Sequence, residues 1–277
     1  MLTQKDIKQA MLNAPGLPVV VIKALKLLND DDIKMSLLRK IIETDPVIAG
    51  RILSVANSSF YGMTCKVANL NDAFMVLGTH TIRNIVLAVG AVGAFPPGTG
   101  RNLDLAWLWQ HAAATAVTSK ILAKQTGHNP ETALIAGLLH DIGKMALDAC
   151  FTHEYSTVIE YRDTEDCLLI EAEEAVLGIT HCSVGSLLIE RWQLPKEIVA
   201  AVKSYTQPSP ENTNPLTDLI HVSNIVCRSL GIGNAGDSLV PALDALSIQR
   251  LGLTLTDIEN SLTEIDEAAT ASAALIS

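Results

Sequence analysis

An adjacent histidine and aspartate, His140 and Asp141, end a strongly apolar segment in the sequence Gly-Leu-Leu-His-Asp-Ile-Gly-Lys. An imidazole and a carboxylate are costly to bury unless a partner compensates for the lost water. A divalent metal is one such partner, because imidazole and carboxylate ligands suit several transition metals. An ion pair, or a core histidine with a backbone partner, is the other interpretation, and the pair alone does not separate the two.

The backbone around this pair decides whether both side chains can reach one point. Neighbours on a regular helix point roughly 100° apart, so the helix must end or distort there. Gly143 predicts such an ending. Lys144 is then interpreted as a lysine near a helix C-terminus, where its charge is favourable with the helix dipole. Alternatively it meets a substrate phosphate, which makes Asp141 and Lys144 the candidate catalytic residues.

Other polar residues occur in apolar or small-residue surroundings. His111 lies among alanines that would let a second helix approach, although spacing alone favours a partly exposed helix histidine. His181 precedes a predicted helix and is either a residue of the capping region or a ligand. Asn224 lies on an apolar helix and therefore needs a buried partner. Three histidines near predicted helix ends or loops are expected at the surface: His80, His128 and His153.

The periodicity of apolar residues predicts helices almost throughout and no substantial sheet. Asp45 and Asn129 each precede a proline, which is a typical helix start. Residues 71–78 and 79–92 are predicted as two short helices, and the tail from Thr254 as one or two. Further helices are predicted over 105–125, 155–162, 168–177, 183–192, 195–203 and 216–230.

Charge and composition suggest two units. Residues 1–100 contain 10 Lys and Arg against 7 Asp and Glu, whereas residues 101–277 contain 10 against 23. Two prolines and two glycines between residues 96 and 100 cannot continue a helix. We therefore predict an N-terminal helical subdomain over 1–98 and a second helical unit with an acidic tail over 99–277. The acidic second unit disfavours nucleic-acid binding.

Cysteine usage and apolar run lengths bear on the compartment. The five cysteines are an odd number without a C-x-x-C pair, which favours free thiols in a reducing cytosol. The first ten residues lack the apolar core of a signal peptide, and the longest apolar run, 85–95, is too short to span a bilayer. We expect a cytoplasmic protein without a membrane partner. No Gly-rich phosphate loop supports nucleotide binding of that kind.

Read in order, the motifs resemble the HDOD family, bacterial relatives of the HD-domain phosphohydrolases that serve as signalling output domains. The resemblance covers roughly residues 10–235. It rests on Leu17-Pro18, DPVIAGRILSVANSSFYG from Asp45, Asn71-Asp72-Ala73 leading to Leu77-Gly78, Trp109 with His111, GLLHDIGK, GITHCSVGSLLIERWQLP and HVSN. The family implies an all-α, multi-helix bundle of the HD-domain type.

The resemblance also implies a metal site with four candidate ligands and two departures from the family pattern. The candidate ligands are His111, His140, Asp141 and His181. Asn224 stands where a later aspartate is expected, and Ser204-Tyr205 where related sites often carry a histidine pair. A neutral amide in place of a carboxylate removes one negative charge, so metal affinity should suffer. The family pattern then leaves room for one weakly bound divalent ion, of iron, manganese, magnesium or nickel.

Two functions are compatible with this pattern. The favoured hypothesis is a non-catalytic signalling module that binds a partner protein or a small ligand such as a nucleotide. The alternative is a metal-dependent phosphohydrolase acting on nucleotides or cyclic nucleotides. A separate segment, with Asn57, Ser58 and Tyr61, is either a recognition surface or, as we favour, a structural helix end.

Overall fold

The computed structural model describes residues 2–28, 35–57, 67–211 and 213–272, and within these all regular structure is helical. Five helices precede the predicted linker: α1 Gln4–Asn13, α2 Val19–Leu28, α3 Met35–Glu43, α4 Pro46–Ala56 and α5 Leu70–Ala94. The next five are α6 Leu105–Gln125, α7 Pro130–Leu139, α8 Ile142–Cys150, α9 Thr152–Glu165 and α10 Leu169–Leu177. The last five are α11 His181–Arg191, α12 Lys196–Ser204, α13 Pro215–Ser229, α14 Ala245–Leu251 and α15 Leu255–Ala271. The prediction of an all-α fold is confirmed.

Three helices begin with an Asp or Asn cap followed by proline. The side chains of Asp45, Asn129 and Asn214 accept hydrogen bonds from backbone N–H groups of the first turn of α4, α7 and α13. Proline at the first position loses no helical hydrogen bond and already has a helical φ. The starts predicted at Asp45 and Asn129 are therefore confirmed.

Helix α5 covers the two short helices predicted over 71–78 and 79–92, and it is interrupted at Gly78, the predicted boundary between them. It starts after the cap Asn69 and continues for 25 residues, with a kink at Gly78, whose φ is 71°. Taken across this kink, it is the one single helix among those described that is long and apolar enough to cross a membrane, and 50% of its most apolar window is buried. That burial is what a core helix of a folded domain requires. Two helices that precede α5 in the sequence, α2 and α4, pack against it.

Helix α6 is the centre of the second part of the chain. It packs against α7, α13 and α15, and α5 reaches this group through α7. The fully buried Trp109 of α6 donates from its indole N–H to the carbonyl oxygen of Phe95, 2.8 Å away. This contact ties α6 to the end of α5 across the proline-rich segment, which breaks the helix as predicted. A domain boundary at residue 98 stays a prediction.

One prediction about a helix end is wrong. Gly143 does not end a helix, because α8 begins at Ile142 and includes it. The tail from Thr254, predicted as one or two short helices, is a single helix of 17 residues, α15, capped by Thr254. α14, with its cap Asp244, had no counterpart among the predicted helices.

Asn57 has the structural role that we favoured. Its side-chain amide donates to the carbonyl oxygens of Leu53 and Val67, and its Oδ1 accepts from the Val67 N–H at 2.8 Å. These bonds end α4 and hold the backbone of Val67 against its C-terminal end. The other two residues predicted in this segment, Ser58 and Tyr61, lie outside the described residues.

Candidate functional site

The five polar residues singled out for the site converge in the interior of the second part of the chain. They come from α6, the α7–α8 junction, the start of α11, and α13. Their exposed fractions are between 0% and 6%, for His140, His111, Asp141, His181 and Asn224 in increasing order. The surface positions expected for His80 and His153 are confirmed, and His128 is partly exposed.

A break between α7 and α8 aims His140 and Asp141 at the same region. α7 ends at Leu139, and Asp141, with φ −100° and ψ 8°, leaves the helical path before α8 begins. Gly143 then lets α11 approach, since a Cβ at this position would lie 1.9 Å from the carbonyl oxygen of His181. Gly143 therefore serves a close contact between helices rather than a helix end.

The Asp141 carboxylate is the hub of the cluster. Its Oδ2 lies 2.8 Å from Lys144 Nζ and 3.3 Å from His140 Nε2. Its Oδ1 accepts a hydrogen bond of 2.6 Å from the hydroxyl of Tyr205. Burial by itself would raise the pKa of Asp141, but the neighbouring His140 and Lys144 outweigh burial and keep that pKa well below its ordinary value. Asp141 is therefore an ionised carboxylate with both oxygens engaged.

Lys144 supplies the compensating positive charge. It is 2% exposed, and its ammonium also donates to the carbonyl oxygen of Ala235 at 2.7 Å. Lys144 lies in the first turn of α8, so its interpretation as a lysine near a helix C-terminus is wrong. A cation in the first turn opposes the helix dipole, and the ion pair with Asp141 offsets this cost.

His181 belongs to a second buried chain of hydrogen bonds. Its Nδ1 and its backbone N–H lie 2.6 and 2.7 Å from Oε2 of Glu173, whose Oε1 accepts from Tyr155 at 2.8 Å. Its Nε2 lies 2.9 Å from the Tyr205 hydroxyl. Burial lowers the pKa of His181, but Cys182 and Glu173 outweigh burial and raise that pKa to about 10. His181 is thus an imidazolium that donates on both sides.

His111 and Asn224 form a neutral pair. His111 Nε2 lies 2.9 Å from Oδ1 of Asn224 and 4.0 Å from Oδ2 of Asp141. Burial, followed by the neighbouring His140, lowers the pKa of His111 to about 3. A neutral imidazole has one N–H, and the two ring nitrogens face two oxygens, Asn224 Oδ1 at 2.9 Å and the carbonyl oxygen of Ile232 at 3.3 Å. The shorter contact favours the proton on Nε2. The expectation that Asn224 needs a buried partner is confirmed, and the partner is His111.

His140 has one unsatisfied atom. Its Nδ1 donates to the carbonyl oxygen of Gly137 at 2.6 Å. Its Nε2 is buried and has no hydrogen-bond partner. This nitrogen faces Oδ2 of the Asp141 carboxylate at 3.3 Å.

By their spacing alone, three of these residues could hold a metal ion. One ligand atom from each of His111, His140 and Asp141 lies within 4.8 Å of the others. However, a divalent ion bound about 2.1 Å from Oδ2 would lie within about 5 Å of the Lys144 ammonium. At an effective dielectric constant near 20 this repulsion is about 7 kcal/mol, and it subtracts from the attraction between the ion and the carboxylate. The cluster as folded, with Lys144 on the carboxylate, therefore opposes a divalent ion at this oxygen.

Two members of the cluster, Glu173 and Tyr155, were missed in the sequence. Both are completely buried. Glu173 lies one turn after Leu169 and one turn before Leu177, which are both buried, so a carboxylate on the apolar face of α10 was a detectable signal. Tyr205 was noted only as a replacement for an expected histidine, yet it links His181 to Asp141.

Similar solved structures share this fold over nearly the whole chain. An HDOD domain protein of unknown function from Geobacter sulfurreducens is 25% identical, with 96% of each chain covered and a TM-score of 0.79. A protein from Shewanella amazonensis SB2B, provisionally named a phosphohydrolase, is 22% identical, with 98% of each chain covered and a TM-score of 0.79. A protein from Marinobacter aquaeolei VT8, provisionally named a signal transduction protein, is 22% identical, with 99% of this chain and 64% of that chain covered and a TM-score of 0.78.

The family itself is given by a match that covers most of the chain. An uncharacterized protein from Treponema pallidum (strain Nichols) is 23% identical over 220 residues, which are 78% of this chain and 42% of the relative. The chain thus spans less than half the length of that curated relative. The model of the HDOD domain matches residues 14–208, a range that contains four of the five site residues and the complete α7–α8 junction. The protein therefore belongs to the HDOD domain family.

Proposed function

We propose that this protein is a regulatory output module of bacterial signal transduction that performs no hydrolysis. It keeps the helical scaffold of an HD-type phosphohydrolase and acts by binding a signalling protein partner or a small ligand. The observation that carries this proposal is the closure of the cluster, in which Lys144 and Tyr205 engage both oxygens of Asp141.

The space beside the cluster supports this proposal. Metal-assisted hydrolysis requires an open coordination position for water and room for the substrate phosphate. The cavity bordered by Lys144, His181 and Tyr205 measures about 80 Å³. Pockets for ligands of nucleotide size typically measure roughly 300–1,000 Å³. A nucleotide would therefore have to displace the side chains that close the cluster.

A protein partner is favoured over a nucleotide by the charge of the chain. The net charge is −10. A larger cavity of about 460 Å³ lies beside the first turn of α6, and its charged side chains are one arginine and four aspartates, Arg162, Asp104, Asp163, Asp166 and Asp237. Such a lining repels a phosphate-bearing ligand, and the acidic chain likewise disfavours nucleic acid.

A hydrolytic function is the second candidate, and the orphaned Nε2 of His140 is the observation that favours it. A metal ion would give this nitrogen a partner and would bind the facing carboxylate of Asp141 as well. Neighbours with the same fold are named for both functions, so the fold does not separate them.

Elemental analysis and a hydrolysis assay on the same full-length preparation test the proposal. We expect less than one tenth of a transition-metal ion per chain, and no turnover of bis(p-nitrophenyl) phosphate or of a cyclic dinucleotide with added Mn²⁺ or Fe²⁺. His140→Ala should then leave the background rate unchanged, as should His153→Ala at the surface. One metal ion per chain, with turnover lost in His140→Ala but kept in His153→Ala, would refute the proposal.

A further inference from the structure

Lys144 is paired with the carboxylate oxygen that the potential ligands share. Its ammonium lies 2.8 Å from Oδ2 of Asp141, the oxygen that also faces His140 Nε2 at 3.3 Å and His111 Nε2 at 4.0 Å. Both imidazoles and the ammonium therefore converge on one carboxylate oxygen. A cation bound by the two histidines and Asp141 would compete with Lys144 for that oxygen.

The ammonium is also fixed from a second side. Ala235, in the segment between α13 and α14, accepts a hydrogen bond from Lys144 Nζ at 2.7 Å. The same segment packs against α6, since a Cβ on Gly233 would lie 2.4 Å from the backbone nitrogen of His111. Moving Lys144 aside would leave both the Asp141 carboxylate and the Ala235 carbonyl without their buried donor.

Asn224 offers a competing explanation for weak metal binding. An amide replaces a carboxylate there and removes one negative charge from the surroundings of the metal. Yet Oδ1 of Asn224 contacts His111 rather than Asp141, and it leaves the shared carboxylate oxygen untouched. Asn224→Asp and a neutral residue at position 144 both lower the charge of the site by one. If charge alone limits metal binding, the two substitutions should have equal effects. If Lys144 blocks the shared oxygen, the substitution at position 144 should have the larger effect.

We propose that the Lys144 ammonium is the resident cation of this site, and that it is the main reason why His111, His140 and Asp141 do not bind a divalent metal. The inference rests on the proposed non-catalytic function and gives it a cause. Lys144 is then a specificity-determining residue that excludes a metal, rather than a group that meets a substrate phosphate.

Mn²⁺ binding by the full-length chain tests this inference. Wild type, Lys144→Met and Lys120→Met are compared by calorimetry, by bound Mn²⁺ in electron paramagnetic resonance and by the Mn²⁺-induced shift in Tm. Lys120 is the matched control, because it is also a buried lysine in an ion pair, with Glu131 at 2.7 Å, outside the cluster. We expect Lys144→Met to bind one Mn²⁺ at least tenfold more tightly than the other two proteins and to gain Tm with Mn²⁺.

Asn224→Asp is the charge-matched comparison. We expect it to gain less affinity for Mn²⁺ than Lys144→Met, since Lys144 still holds the shared oxygen in this variant. An equal or larger gain in Asn224→Asp would overturn the inference, because site charge alone would then explain the weak binding.

Two further variants keep the test decisive if Lys144→Met folds poorly. Lys144→Gln keeps an N–H donor for Asp141 and Ala235 without the charge, and it should bind Mn²⁺ as Lys144→Met does. The double variant Asp141→Asn with Lys144→Met removes both charges, and it should fold without binding Mn²⁺. A folded Lys144→Gln that binds Mn²⁺ no better than wild type would overturn the inference.

Failure of the inference is distinguishable from failure of the proposed function. Stoichiometric Mn²⁺ in wild type without turnover would overturn the role of Lys144 and leave the regulatory function standing. Turnover by wild type that depends on His140 would refute the regulatory function, whatever the Lys144 variants bind.

Discussion

Asp141 determines where the protons of the neighbouring side chains lie. The Tyr205 hydroxyl donates to Asp141, so it must accept from His181, whose other ring nitrogen donates to Glu173. Each of these groups therefore has one consistent donor or acceptor role. His140 Nε2 is the ring atom of this cluster that stays without a partner. A fully connected polar network is stable in a core, whereas one unsatisfied atom makes a defined weak point.

The titration of His111 predicts the acid dependence of stability. Its pKa is about 3 in the folded protein against an ordinary value of 6.5. Below pH 6.5 the unfolded chain therefore binds a proton at this residue, whereas the native protein binds it only near pH 3. The contribution of neutral His111 is present above pH 6.5 and is lost as the pH falls, with a limiting slope of about 1.4 kcal/mol per pH unit. Urea unfolding between pH 7.5 and 4.5 should show this slope, and His111→Gln should flatten it.

The control for this prediction is a histidine outside the cluster. His153→Gln, at an exposed position, should keep the wild-type slope. Below pH 6.5 His181 does not interfere, because its pKa of about 10 places its contribution in the window between pH 6.5 and 10, where stability is lost as the pH rises. Equal slopes in wild type and His111→Gln would show that His111 is not buried as a neutral group.

Residue types and spacing predicted which residues belong to the site better than they predicted which contacts these residues make. His111, His140, Asp141, His181 and Asn224 are all in the cluster, as the family pattern implied. The pattern could not show that Lys144 turns inward, because this depends on the packing of α8 and on a carbonyl from residue 235. Spacing identifies candidates along one helix, whereas the partner of a buried charge comes from a distant segment.

At the scale of elements, local chemistry predicted helix starts and tertiary packing decided the rest. Asp45-Pro46 and Asn129-Pro130 start helices because the cap and the proline act within one turn. The start of α8 directly after α7 has no such signal, since Asp141 makes no side-chain cap. The close contact of Gly143 with α11 determines where α8 starts, and the local sequence carries no signal for this contact.

Gly143→Ala tests this contact between helices. The added Cβ would lie 1.9 Å from a backbone carbonyl oxygen, and backbone cannot rotate away as a side chain can. We expect a loss of about 3 kcal/mol or more in the free energy of unfolding, measured with urea, from overpacking and displacement of α11. The matched control is Gly50→Ala in α4, where no heavy atom lies within 4 Å of the new Cβ.

The control should change stability in the opposite direction. Alanine in place of glycine within a helix is favourable by up to about 1 kcal/mol. Similar small effects in Gly143→Ala and Gly50→Ala would mean that α8 and α11 lie further apart than the structure places them.

At the scale of the whole molecule, a buried polar junction joins the two parts of the chain. Asn84 of α5 donates from its side-chain amide to both the backbone oxygen and Oε2 of Glu131, at 3.1 and 2.7 Å. Glu131 in turn forms an ion pair with Lys120 of α6. The charge shift near residue 100 predicted two units, and this junction couples them across the proposed boundary. Sequence composition indicates the units, but only the fold shows which residues connect them.

Asn84→Asp tests this coupling. All three tryptophans lie after residue 100, so fluorescence reports on the second part of the chain, whereas far-UV circular dichroism reports on all helices. In wild type the two urea transitions should coincide, because a junction of this kind makes unfolding cooperative. Asn84→Asp places a carboxylate against Glu131, and at pH 7 the circular dichroism transition should begin at lower urea than the fluorescence transition.

The control Asn84→Ala removes the hydrogen bonds without adding charge, so it should separate the two transitions less. The additional effect of the aspartate should shrink towards pH 4 as carboxylates protonate. Separate transitions already in wild type would mean that the two parts fold independently and that this junction contributes little.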